Sequence, residues 1–207
     1  MELLLIRHGL PERVDGGAGP ADPKLSATGL VQAGSLAASL AEEPLAAVVT
    51  SPLRRARETA APLAAAHGLE PRVEDGLAEF DRDTSWYVPM EELRAAGDPR
   101  WQAIVEGRWS EDHGVDVETF RRAAVAAIEL VIAAHSGHTV AVVTHGGVIN
   151  AYVADVLRAP LLGVFEPSYT SVSRVLASRG HVRTISSLND ASHLRTGPPA
   201  LAPLPQN

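Results

Sequence analysis

The chain has 207 residues, 45% of them hydrophobic and 21% charged, with 18 Lys and Arg against 25 Asp and Glu for a net charge of −7. That length reads as one domain, or one domain carrying a large insertion, and the apolar fraction is ample for a buried core, which excludes wholesale disorder. The excess of acid excludes a general nucleic-acid or anionic-membrane binder, and the absence of Cys excludes a disulfide framework, a thiolate zinc site and a cysteine nucleophile.

The N-terminal apolar run is short and no cleavage-like segment comes after it, so it does not read as a signal peptide. It reads instead as a buried strand over residues 2–6. A helix is expected over 28–40, with Ser26 and Thr28 as N-cap candidates. A second buried strand at 46–50 leads into a helix over 53–67 that stops at Gly68, and a short strand-like stretch surrounds Arg72 and Val73. Residues 81–115 are the least periodic. They hold Trp86, Tyr87, Trp101 and Trp109, and read as an insertion after the third strand region, with one or two short helices that could cover a site. Apolar residues at 117, 120, 124, 128, 131 and 132 mark an amphipathic helix over 117–135. A third buried strand is expected at 139–144 and a helix at 148–157. Residues 171–177 and 181–187 then read as a hairpin or edge pair. The Pro- and Gly-rich stretch 196–207 reads as a disordered tail, leaving 1–195 as a single domain. No run of apolar residues is long enough for a membrane span, and the default location is cytoplasmic. Strands alternating with helices predict an α/β fold with a parallel sheet covered on both faces.

The chemistry sits just beyond the end of each strand. The first runs into Arg7-His8-Gly9, the second into Ser51-Pro52-Leu53-Arg54-Arg55, the third into His145-Gly146-Gly147. Ligands of open parallel sheets bind beyond the carboxyl ends of the strands, so two His and two or three Arg are expected at one edge. Gathered without a counter-charge, such groups repel by about 4 kcal/mol per close pair at an effective dielectric constant near 20. A phosphate dianion removes that cost. Guanidiniums match phosphoryl oxygens two at a time, and Gly146 and Gly147 offer backbone N–H groups at a helix start. The expected partner is a phosphorylated small molecule. A divalent metal is disfavoured, because Arg7 beside His8 would repel it, and the Lys-Ser/Thr loop of nucleotide triphosphatases is absent. The remaining nucleophiles are Ser, Thr, Asp and His. A neutral imidazole held against phosphorus by guanidiniums can attack it and form a phosphohistidine. The leaving alkoxide then needs an acid of raised pKa, for which Glu79 and Asp81 are the candidates. The residues alone do not choose between the two histidines.

Four blocks, in order and spacing, resemble the histidine phosphatase superfamily, the phosphoglycerate mutase-like family. Leu5-Ile6-Arg7-His8-Gly9 is similar to its R-H-G opening. Leu25-Ser26-Ala27-Thr28-Gly29 with Gln32-Ala33 is similar to L-(S/T)-x-x-G-x-x-Q-A. Ser51 to Ala60 matches S-x-L-x-R-A-x-x-T-A, and Val143-Thr144-His145-Gly146-Gly147 matches the second-histidine block. The resemblance implies a three-layer α/β/α sandwich with a mostly parallel central sheet. It implies His8 as the phosphorylated nucleophile, Arg7, Arg55 and His145 as phosphoryl-binding groups that stabilise transition-state charge, and Glu79 as proton donor. It implies no metal and no cofactor.

Two stretches depart from the pattern. Leu10-Pro11-Glu12-Arg13-Val14 stands where mutases continue with E-(S/T)-x-W-N, and Phe80-Asp81-Arg82-Asp83-Thr84 stands where glycine and W-E-G come after the donor Glu. The expected activity is a metal-independent phosphatase acting on a small phosphomonoester. Mutase-type transfer and a non-catalytic phospho-ligand module are the alternatives. A mutase needs a second anion pocket, and Arg82, Arg94, Arg100 and Arg108 are diluted by six neighbouring acids. Arg54, Arg57 and the charges at 91–94 read as solvated helix positions. The insertion's Trp and Tyr read as packing, and His113, His135, His138, His181 and His193 receive no role. No nucleic-acid or membrane partner is expected, and a homodimer is left open.

Overall fold

The computed structural model of the chain describes residues 1–108, 113–159 and 165–195. The expected tail at 196–207 and Trp109 lie outside the described residues. Among the described residues six strands, β1 (Glu2–Arg7), β2 (Leu45–Thr50), β3 (Arg72–Val73), β4 (Thr139–Thr144), β5 (Val172–Ala177) and β6 (Arg183–Asp190), form one sheet in the order β3-β2-β4-β1-β5-β6. The first four run parallel, and β5 and β6 are antiparallel. The sheet is therefore mixed, mostly parallel, with an antiparallel hairpin at one edge. β6 runs past the expected end at 187. Its residues alternate between half-buried and exposed, so its apolar signal is that of an edge strand and fades early.

Successive side chains of a strand point to opposite faces, and β1 divides its residues accordingly. Leu3 and Leu5 pack with Ile128 and Val131 of α5 (Val117–Ala134) and with Ile149 and Tyr152 of α6 (Gly146–Leu157). Leu4 and Ile6 pack with Leu36 of α1 (Ala27–Ser39) and with Ala60 and Leu63 of α2 (Arg54–Ala66). Helices cover both faces, which makes the predicted three-layer α/β/α sandwich and explains why β1 and β4 read as unbroken apolar runs. Among the described residues no helix is long and apolar enough to cross a membrane.

The register sets the site. Arg7 lies beside Thr144 and Thr50 beside Val143 in the parallel ladder, so the next residues along each chain segment, His8, His145 and Ser51, leave the sheet together at its carboxyl edge. Above that edge the described part of the insertion supplies the short helices α3 (Met90–Ala95) and α4 (Pro99–Val105). It is stitched to the loop after β1 by paired backbone hydrogen bonds between Val14 and Tyr87, each 2.8 Å, and by Ala21 N–H to the Thr84 carbonyl at 2.6 Å.

Candidate active site

His8 is 3% exposed and its backbone is pinned by a 2.9 Å hydrogen bond from its N–H to the Thr144 carbonyl. Its Nδ1 stands 2.8 Å from the Gly9 carbonyl. A carbonyl only accepts, so Nδ1 carries the proton and Nε2 keeps its lone pair. The loop beyond is held by side chains of two helices. Gly9 N–H donates to Thr59 Oγ1 at 2.9 Å, and Leu10 N–H donates to Gln32 Oε1 at 2.8 Å. Ser26 caps α1 through Gly29 N–H and also donates to the Leu10 carbonyl. Thr28, the other cap candidate, lies inside the helix.

Arg7 and Arg55 flank His8 from two different elements. Arg7 packs its guanidinium 3.9 Å from the Tyr169 ring centre, and its Nη1 donates to Glu91 Oε1 at 2.8 Å and to the Pro167 carbonyl at 2.6 Å. Arg55, in the first turn of α2, donates from Nη2 to Asp81 Oδ1 at 2.7 Å and lies 4.7 Å from the Tyr87 ring centre. Each arginine is thus anchored by one terminal nitrogen. Arg7 Nε and Arg55 Nε and Nη1 are buried without a hydrogen-bond partner. His145 adds a fourth such nitrogen. Its ring centre is 5.1 Å from that of His8, its Nε2 is 2.7 Å from Ser51 Oγ, and its Nδ1 is buried and unpartnered. An unpaired buried donor costs about 1–3 kcal/mol, a cost that an oxyanion accepting from these groups would remove. Burial, then the charges of Arg55 and Arg7, hold the His8 ring well below the usual histidine range, and burial and Arg55 do the same to His145. His8 is neutral where its lone pair is needed.

Glu79 is 6% exposed, with Oε2 accepting from Gly147 N–H at 2.8 Å and Oε1 from Phe80 N–H at 3.1 Å. Burial, and next the charge of Asp81, push its carboxyl up to about 7 despite those two hydrogen bonds. Glycine at the facing position leaves the carboxyl its place, because a Cβ on Gly147 would stand 2.3 Å from Glu79 Oε1 and push it aside. Arg7, His8, Arg55, Glu79 and Gly146 line one cavity of about 300 Å³, with His145 beside His8. All the residues singled out in the sequence are therefore brought together. Of the two candidate acids, Asp81 is paired with the Arg55 guanidinium, whereas Glu79 is buried and meets backbone N–H groups. Among the described residues, no group of three His, Cys, Asp or Glu side chains could hold a metal ion.

Several expectations need correction. Of the two glycine amides expected to face the anion, Gly147 N–H is spent on Glu79. Glu91 is not part of a solvated helix face: it is the ion-pair partner of Arg7 and accepts from Tyr169 Oη at 2.7 Å. Burial opposes its charge, but Arg7 and the Tyr169 hydroxyl outweigh burial and lower its pKa. Tyr87 is more than packing, since it covers Arg55. Trp86, Trp101 and His113 line the cavity wall, although their sequence context suggests packing for the first two and no role for the third. Tyr169, Ser51 and Thr59 also belong to the site and are not among the expected residues. Ser51 and Thr59 fall inside the quoted motif, and that position is the one signal the sequence offers for them. Tyr169 carries none.

The model of the histidine phosphatase superfamily (branch 1) matches residues 3–191. The bifunctional protein Rv2228c of Mycobacterium tuberculosis is 34% identical over 152 residues, which is 69% of this chain and 40% of that protein. An uncharacterized protein of the same organism is 51% identical over 55 residues, 27% of either chain. The chain thus spans well under half the length of these relatives. Among solved structures, YhfR of Bacillus stearothermophilus superposes with a TM-score of 0.75 at 24% identity, covering 94% of this chain and 99% of that one. A phosphoserine phosphatase mutant of Entamoeba histolytica, in complex with phosphoserine, gives 0.73 at 23% identity and the same coverages. A mycobacterial glucosyl-3-phosphoglycerate phosphatase gives 0.73 at 22% identity, covering 92% and 99%. The fold is that of these proteins, and with a family match over nearly its whole length the chain belongs to the histidine phosphatase superfamily, branch 1.

Proposed function

We propose that the chain is a metal-independent phosphatase that hydrolyses a phosphomonoester through a phosphohistidine on His8. The observation that carries this is the set of buried, unpartnered nitrogens on Arg7, Arg55 and His145 beside a neutral His8. Such a set is complementary to the equatorial oxygens of a phosphoryl group in transfer. His8 Nε2 forms the bond to phosphorus as the P–O bond to the leaving group breaks. Glu79, protonated up to about pH 7, gives its proton to the departing oxygen. The resulting Glu79 carboxylate then takes a proton from water as that water attacks phosphorus, which frees His8 and inorganic phosphate. Arg7, Arg55 and His145 hold the phosphoryl oxygens through both steps.

Hydrolysis of p-nitrophenyl phosphate in the presence of EDTA tests the reading. Turnover that withstands chelator and is lost in His8→Ala supports it, as does an acid-labile phosphorylated protein trapped by rapid quench. Turnover abolished by chelator overturns it, and no turnover at all favours a phospho-ligand binding module. Rapid isomerisation of 3-phosphoglycerate with its bisphosphate primer would favour a mutase instead.

A further inference from the structure

The cavity that begins at His8 continues away from it between apolar walls. Beyond the charged end the lining includes Trp86, Met90, Leu93, Trp101, Ile104 and Phe165. Each indole has a guanidinium near its ring: Arg100 lies 4.5 Å from the Trp86 ring centre and Arg94 lies 5.9 Å from that of Trp101. Neither arginine offers an unpaired charge to the cavity. Arg100 forks onto both carboxylate oxygens of Asp98 at 2.9 and 2.7 Å, and Arg94 is paired with Glu166. Glu166 itself lines the cavity, and the arginines among the described lining residues are Arg7 and Arg55. Those two belong to the phosphoryl end. The far end is therefore aromatic, apolar and, at its rim, acidic.

A substrate carrying a carboxylate or a second phosphate would have to bury that charge against these walls, where no arginine or lysine among the described lining residues meets it, and such burial is costly. A ring or alkyl group instead gains contact area and favourable ring geometry against the two indoles. We infer that the substrate is a phosphomonoester with one anionic centre and an uncharged aromatic or apolar leaving group, and that Trp86 and Trp101 set this preference. The inference rests on the phosphatase reading above and narrows its substrate class.

The test compares alkyl phosphates of similar leaving-group strength, so that chemistry does not mimic recognition. The kcat/KM for 2-phenylethyl phosphate should exceed that for ethyl phosphate and phosphoserine at least tenfold, mainly through KM. Trp101→Ala should bring the phenylethyl-to-ethyl ratio toward one. Should that variant fold poorly, Val105→Lys, at a rim position 48% exposed, should shift the ratio of kcat/KM values toward phosphoserine. Equal or better wild-type turnover of phosphoserine, or a phenylethyl preference unmoved by Trp101→Ala, overturns the substrate class while leaving the phosphatase standing. No turnover of any of these esters, or of p-nitrophenyl phosphate, overturns the phosphatase reading itself.

Discussion

Glu79 keeps its proton into the neutral range because burial denies its charge the water it needs, and Asp81 adds repulsion. Two consequences separate cleanly. As a general acid it must start protonated, so turnover of alkyl phosphates should fall as pH rises through about 7. Glu79→Gln should remove that alkaline limb and lower kcat/KM by roughly 10²–10⁴-fold. With p-nitrophenyl phosphate, whose leaving group needs less help, the loss should be much smaller. A uniform loss across both esters would mean that Glu79 is not the donor. The same group also acts on stability. Its folded pKa of about 7 lies above the ordinary 4.5, so its stabilising contribution is full below 4.5 and is lost as pH rises through about 7. Gln cannot ionise, but its amide nitrogen cannot accept from one of the two backbone N–H groups, so the stability of Glu79→Gln relative to the wild type should rise by on the order of 3 kcal/mol between pH 4.5 and pH 8. Urea denaturation at the two pH values measures this.

At the level of elements, the motif glycines and amides of α1 turn out to be devices for placing the loop after β1. A Cβ on Gly29 would stand 2.1 Å from the Leu10 carbonyl oxygen, a backbone atom that cannot swing aside. Gly29→Ala should therefore cost about 1–3 kcal/mol of stability, read as a lower denaturation midpoint, and should loosen His8 with it. Gly147→Ala should separate from it. There the obstructing atom is the tip of Glu79, so stability should change little while kcat falls more than tenfold. A midpoint drop as large as that of Gly29→Ala would refute this distinction. These contrasts also explain what is legible in the sequence. The strands β1, β2 and β4 declare themselves because both faces are covered, and the site residues because they come directly after those strands. Glu91 reads as solvated because spacing on a short helix cannot show that an arginine from another element lies against it. The cavity walls are unreadable for a related reason: Trp86 and Trp101 look alike in sequence whether they pack a core or line a pocket. The edge strand β6 reads short because half its residues meet solvent.

For the molecule as a whole, the proposed reading has a chain of net charge −7 take up an anion. The acidic surface acts on an approaching phosphate only within the screening length, about 8 Å at physiological salt, whereas the buried guanidiniums act at contact, where screening is weak. Affinity for the anion should thus reside in the cavity and be visible as thermal stabilisation. Inorganic phosphate or orthovanadate at about 100 times its dissociation constant should stabilise the protein by about 2.7 kcal/mol, which for a chain of this size is a rise of roughly 5–10 °C in Tm. The rise should be the same with EDTA present, because the positive charge comes from Arg7 and Arg55. In Arg55→Ala two of the four unpartnered nitrogens are gone, and the ligand-induced rise, measured from that variant's own baseline, should shrink to a degree or two. If the full rise survives in Arg55→Ala, or vanishes with chelator, the anion is being held somewhere other than between these arginines.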